Sequence, residues 1–186
     1  MSGHNKWAQI KRKKEVTDKK RGQIFSKMLK AISLAAKEDP NPSNNVRLKS
    51  AIDQAREYNV PLDNIERAIK KSEDAKDLKE LLMEAYGPEG TAILILAHTD
   101  SGNRTVAEIK KILHDHDAKW ADPGSVMWAF EPDTDQRGLN ADIHGWKAKF
   151  PQKISKEAEE RLIKIMEALD DQDDVSEIFT SADIGE

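Results

Sequence analysis

The chain has 186 residues, a formal net charge of −4 and no cysteine. That length suffices for one large domain or two small ones, and the missing thiols exclude a disulfide scaffold, a Cys-based zinc site and a thiol nucleophile. The longest apolar run, Ala92 to Ala97, is too short to span a bilayer, and no apolar leader follows Met1, so a cytoplasmic protein with no membrane attachment is expected.

The net charge conceals a split. Met1 to Lys71 holds 17 Lys and Arg against 8 Asp and Glu, whereas Ser72 to Glu186 holds 13 against 26. Holding like charges together costs stability. A basic front half therefore points to a polyanionic partner more than to ordinary solvated faces.

The chain opens with Gly3-His4-Asn5-Lys6-Trp7 and continues to Ile10-Lys11-Arg12-Lys13-Lys14. Four consecutive cations suit a phosphate backbone, because each contact releases condensed counterions. Trp7 either stacks on an exposed base or anchors the arm onto the helices, and anchoring is the commoner use of a large aromatic.

A helix is expected from Thr17 to about Lys37. Ile24, Met28 and Ile32 recur every four residues beside Phe25, Leu29 and Ala36, with Lys19, Lys20, Lys27 and Lys30 on the other face. Asp39-Pro40-Asn41-Pro42 ends it. Ser43 or Asn44 is placed to cap a second helix with Val46, Ile52 and Ala55 inward and Arg47, Lys49 and Arg56 outward. After Asn59-Val60-Pro61, Asp63 and Glu66 read as a capping box for a third helix, which carries Ile65 and Ile69 and ends in Lys70 and Lys71.

The acidic half predicts a strand from Leu81 to Tyr86, although Lys79 to Ala85 reads equally well as helix. A Gly87-Pro88-Glu89-Gly90 turn leads to a strand from Thr91 to His98 that is apolar on both faces. Thr105 to Glu108 reads as a capping box opening a helix to about His116. Two alternating strands follow, Val126 to Phe130 and Trp146 to Phe150. A helix capped by Ser155 runs to about Leu169, and Val175 to Thr180 closes the sheet. The order suggests a ferredoxin-like α+β domain.

Few residues suggest catalysis. His114 and His116 lie two apart on a predicted helix and so cannot chelate one ion. Asp170-Asp171-Gln172-Asp173-Asp174 lacks the glycine and glutamate of a calcium loop and reads as a solvated helix exit. Asp100, Asn103 and Arg104 form a polar loop at a strand end, where Asp and Asn suit the turn without any ligand. No phosphate-binding glycine loop or nucleophile elbow appears.

Several segments carry a family resemblance: Gly3 to Trp7; Asp18-x-Lys20-Arg21-Gly22-x-x-Phe25-x-Lys27; Asn64 to Lys71; Tyr86-Gly87-Pro88-x-Gly90; Thr99-Asp100-x-x-Asn103-Arg104-Thr105; and Gly124-Ser125-Val126. In this order they resemble the YebC/PmpR family, as far as about Phe130 and again from about Phe150 to Ile184. The resemblance implies a regulator of gene expression. Members are described as DNA-binding transcription regulators or as translation factors that act at the ribosome, with the basic N-terminal domain as the contact surface. Arg12, Val46 and Leu62 stand where the family usually has His, Pro and Lys. The family also usually inserts a further α/β domain where this chain has only Glu131 to about Gly145.

The expected protein is therefore α+β, with a basic three-helix domain over residues 1–76 and an acidic ferredoxin-like domain over 77–186, the usual insertion being reduced to a loop at 131–145. The function expected is non-enzymatic nucleic-acid binding in transcription or translation, without cofactor or metal. The contact residues expected are Lys6, Trp7, Lys11, Arg12, Lys13, Lys14, Lys19, Lys20, Arg21, Lys27, Lys30, Arg47, Lys49, Arg56, Arg67, Lys70 and Lys71. The partners are DNA or ribosomal RNA, and the ribosome, for a monomer or weak oligomer. The alternative is an interaction module that recruits a basic protein through the acidic domain.

Overall fold

The computed structural model describes residues 18–73, 75–133 and 145–184. Helix α1 spans Asp18–Ala36, α2 Val46–Glu57 and α3 Leu62–Lys70. Their apolar faces meet in one core of Ile32, Ala35, Leu48, Ala51, Ile52, Ala55, Val60 and Ile65. The caps differ from the expected ones. Asn45 caps α2 by accepting from the Leu48 amide at 2.9 Å, while its own amide group donates to the carbonyls of Ala35 and Asp39, so one buried side chain ties the α1–α2 turn together. With the cap one residue later than expected, Val46 becomes the first helical residue and is 40% exposed instead of inward. At α3 the N-cap is Pro61, without a side-chain bond, so the expected Asp63–Glu66 box does not form. Pro61 has no N–H and a fixed φ, which suits a helix start.

The second half begins with two long strands, β1 (Lys79–Tyr86) and β2 (Ala92–Thr99), antiparallel with Lys79 opposite Thr99 and Tyr86 opposite Ala92. Pairing with β2 decides the ambiguous 79–85 segment for strand, because tertiary contacts override local helix propensity. Helix α4 spans Gly102–Asp115, β3 Lys119–Ala121, β4 Phe130–Pro132, β5 Trp146–Ala148, β6 Gln152–Lys153, α5 Lys156–Asp170, β7 Val175–Thr180 and β8 Ala182–Asp183. The main sheet has the order β3-β1-β2-β7, antiparallel throughout. Helices α4 and α5 cover one face through Ile109, Leu113, Leu162, Ile165, Met166 and Leu169, which pack on Ile93, Ile95 and Ala97. The opposite face of β2 buries Ala92 and Leu94 with Phe130 and Phe179. A strand apolar on both faces is thus buried on both.

The α+β class and the helix-then-sheet layout hold, and the chain order within the sheet differs in detail. The usual ferredoxin-like order places a strand pair between the two helices, whereas here the β1–β2 hairpin precedes α4. The expected strands at 126–130 and 146–150 are displaced into a separate ribbon, β4 with β5, where Phe130 faces Ala148 and Pro132 faces Trp146. Val126 cannot start a strand because the Glu84 carboxylate takes its amide, together with those of Gly124 and Met127, at 2.6–3.0 Å. The sheet's edge is instead the three-residue β3, too short to leave a periodic signal. Helix α4 starts three residues before the expected Thr105 cap, and Thr105 is buried inside it. Ser155 caps α5 as expected, accepting from the Ala158 amide at 3.2 Å.

Candidate nucleic-acid interface

The cations of α1 at intervals of three and four residues form one stripe, since such positions share a helix face. That stripe lies against the loop between α5 and β7. Lys20 pairs with Asp171 at 3.3 Å, and Gln23 donates to Asp173 at 3.0 Å. Lys27, only 7% exposed, donates to the Asp170 carbonyl and lies 3.8 Å from its carboxylate. Lys30 donates to Asp174 Oδ1 at 2.6 Å and to the Asp173 carbonyl at 3.3 Å. From α2, Arg47 pairs with Glu38 and with Glu80 of β1, and Gln54 donates to Glu177 of β7 at 3.3 Å.

Asp174 is the centre of this contact. Its side chain is 3% exposed and accepts from Lys30 of α1 and from Arg104 and Thr105 of α4, at 2.6, 3.0 and 2.7 Å. Burial pushes its carboxyl up, but the hydrogen bonds from Lys30, Thr105 and Arg104 outweigh it and hold the group well below the usual carboxylate range. The loop is fixed from behind as well. Gln172 accepts from the amides of Asp174 and Val175 and donates to Glu108, and the Asp174 carbonyl accepts from the His98 amide.

The structure thus corrects part of the expected site. Lys27, Lys30 and Arg47 are turned onto the chain's own acceptors, Lys20 pairs with Asp171 at the surface, and the 170–174 run is a clamp instead of a solvated helix exit. Sequence reasoning missed Asp174. The signal was present in the match between a cationic stripe on one helix and a five-residue acidic run. The polar loop at the end of β2 serves the same clamp: Arg104 also pairs with Asp100 at 2.9 Å, and Thr99 Oγ1 accepts from the Ser101 amide.

Other expected contact residues remain outward. Arg21, Lys49, Arg67, Lys70 and Lys71 are exposed and make no ion pair among the described residues. Arg56 is exposed and lies 3.6 Å from Asp53, a surface pair of small worth. Leu62 is 56% exposed at the first turn of α3. Lys6, Trp7, Lys11, Arg12, Lys13 and Lys14 lie outside the described residues, and Lys19 is described only as part of α1. His114 is exposed and the His116 ring bonds the Ile112 carbonyl at 2.9 Å, while no group of three potential metal ligands occurs among the described residues. No helix among them is long and apolar enough to cross a membrane.

Fold and charge together define a two-part protein: a basic helical bundle clamped to an acidic α+β domain, with a second set of cations left facing out. The family models for the "TACO1/YebC protein N-terminal domain" and the "TACO1/YebC second and third domain" match residues 5–75 and 78–134. The chain belongs to the TACO1/YebC family. A "Probable transcriptional regulatory protein" of Fervidobacterium nodosum is 34% identical over 238 residues, covering 99% of this chain and 94% of that protein. One from Pelodictyon phaeoclathratiforme is 48% identical over 135 residues, so the match spans about half of that relative's length. Among solved structures, a conserved hypothetical protein, Aq1575 of Aquifex aeolicus, superposes with a TM-score of 0.81 at 30% identity, over 97% of this chain and 98% of that one.

Proposed function

We propose that the protein is a non-enzymatic regulator of gene expression that binds nucleic acid through the outward cations of its helical bundle. The observation that carries this reading is the set Lys49, Arg67, Lys70 and Lys71, exposed and without ion-pair partners among the described residues although the other half of the chain is rich in carboxylates. Arg21 and Arg56 are exposed as well, and the Lys11–Lys14 run, outside the described residues, adds four more cations to the basic half of the sequence. The name carried by the relatives supports a regulatory role.

Cations of this kind mostly position a phosphate backbone and do not read bases. The bundle shows no helix-turn-helix signature in its sequence, so structured RNA, including ribosomal RNA, fits at least as well as a promoter. The acidic half is a weaker candidate for capturing a basic protein, because Asp170, Asp171, Asp173 and Asp174 are turned onto α1.

The test is binding of the whole chain to duplex DNA and to structured RNA over a salt series. Affinity should fall steeply with salt, and replacing Lys49, Arg67, Lys70 and Lys71 with Glu should remove it while circular dichroism stays unchanged. Equal affinity of the wild-type and the charge-reversed chain would refute the proposal.

A further inference from the structure

A cleft of about 700 Å³ opens between α1, α3 and the segment that leads into β1. Its volume falls in the range of sites that take small organic ligands, roughly 300–1,000 Å³. The three parts of its lining differ in chemistry. Arg67 of α3 and Lys71 at its C-cap, one turn apart, supply two cations without ion-pair partners among the described residues. Asp77 and Asp100 supply carboxylates on the side of the sheet domain. Leu29, Ala68 and Leu78 supply apolar surface.

Such a cleft offers three kinds of contact: Arg67 and Lys71 favour an anion, the apolar side chains a flat ring, and Asp77 and Asp100 hydrogen-bond donors, since carboxylates only accept. One oxygen of Asp100 takes Arg104, leaving the other oxygen and Asp77 to receive a donor. A nucleotide with an amino-bearing base has all three groups: phosphate, ring and the exocyclic NH₂ of cytosine, adenine or guanine. Uracil has no such amino group. Single-stranded nucleic acid presents its base edges in this way, whereas a duplex hides them.

Building on the nucleic-acid reading above, we propose that this interdomain cleft holds one nucleotide unit of a single strand, with its phosphate on Arg67 and Lys71 and its amino-bearing base edge on Asp77 and Asp100. The cleft would then give the protein a preference that its outer cations lack. It would also make both halves of the chain necessary for that preference.

The absence of cysteine provides the test. In the full chain, Ser26→Cys places a single thiol in the cleft, and Ser43→Cys places one beside Lys49 and Arg56 on the other side of the bundle. Each is labelled with a photo-crosslinker and mixed with oligo(C), oligo(A) or oligo(U) RNA. Cross-linking from residue 26 should favour oligo(C) and oligo(A), with affinities about tenfold above oligo(U). Arg67→Gln with Lys71→Gln should abolish it, and Asp77→Asn with Asp100→Asn should reduce the base preference to about onefold. All four positions are exposed, and an unchanged melting profile checks that the variants fold. Cross-linking from residue 43 alone, or no difference among the three oligomers, would overturn the cleft assignment and leave the outer surface standing. Failure of the whole chain to bind any RNA or DNA would overturn both readings.

Discussion

Lys30 of α1 donates to Asp174 across 2.6 Å and so joins the helical bundle to the loop that precedes β7. Around this bond the acidic loop meets Lys20, Gln23 and Lys27 in turn. Part of the charge segregation seen in the sequence is therefore answered within the molecule, while Arg21, Lys49, Arg67, Lys70 and Lys71 face outward.

Asp174→Asn should lower stability by about 2–3 kcal/mol, as expected when a buried group loses charge-assisted hydrogen bonds. The pH dependence follows from the depressed carboxyl. Its contribution is present above the unfolded value of about 4 and disappears as pH falls from there towards the folded value. Urea midpoints measured from pH 6 to pH 2 should fall steeply for the wild type and less steeply for the variant. Parallel curves would contradict the role of Asp174.

Lys27 separates a packing role from a phosphate role. Being 7% exposed, it should fold with Lys27→Met at a cost of about 1–3 kcal/mol, because the carbonyl and carboxylate of Asp170 lose their donor. Lys27→Glu, set against the Asp170–Asp174 loop, should prevent folding or cost several kcal/mol. Nucleic-acid affinity of the methionine variant should match the wild type, and a tenfold loss in a filter-binding assay would return Lys27 to the contact surface.

The outer cations are counted by salt. Each phosphate neutralised contributes about 0.7–0.9 to the slope of log affinity against log salt. Removing Lys70 and Lys71 together should lower that slope by about 1.4–1.8 while changing the melting temperature little. An unchanged slope would show that these two lysines do not meet phosphate.

Glu84 is a buried carboxylate that accepts three backbone amides. Glu84→Ala should cost about 3 kcal/mol or more, because a charged acceptor is lost and the amides of Gly124, Val126 and Met127 lose their bonds. Glu84→Gln should recover part of the loss, since one of its two terminal atoms still accepts. Chemical denaturation, with the fluorescence of nearby Trp128 as the local probe, measures both effects.

Periodicity made the three helices of the bundle, α5 and the buried strand β2 legible, since each repeats its apolar residues over several turns or pleats. The caps were less legible. Asn45 was missed because its neighbours Ser43 and Asn44 are equally good capping types, and only the carbonyls of Ala35 and Asp39 select between them. Strand β3 was invisible because three residues cannot show a period. The site was half legible. Composition showed which residues were cationic, but the direction of each side chain depends on where the acidic loop lies in space. Lys27 and Lys70 look alike in the sequence, yet one is buried against Asp170 and the other faces solvent.

Glu84 has a consequence beyond its own stability. From β1 it grips the segment that leads into β4 through the amides of Gly124, Val126 and Met127, so the approach to that ribbon is fixed to the main sheet. A bracket of this kind ties the approach to β4 to the main sheet itself, whatever the length of the chain beyond it.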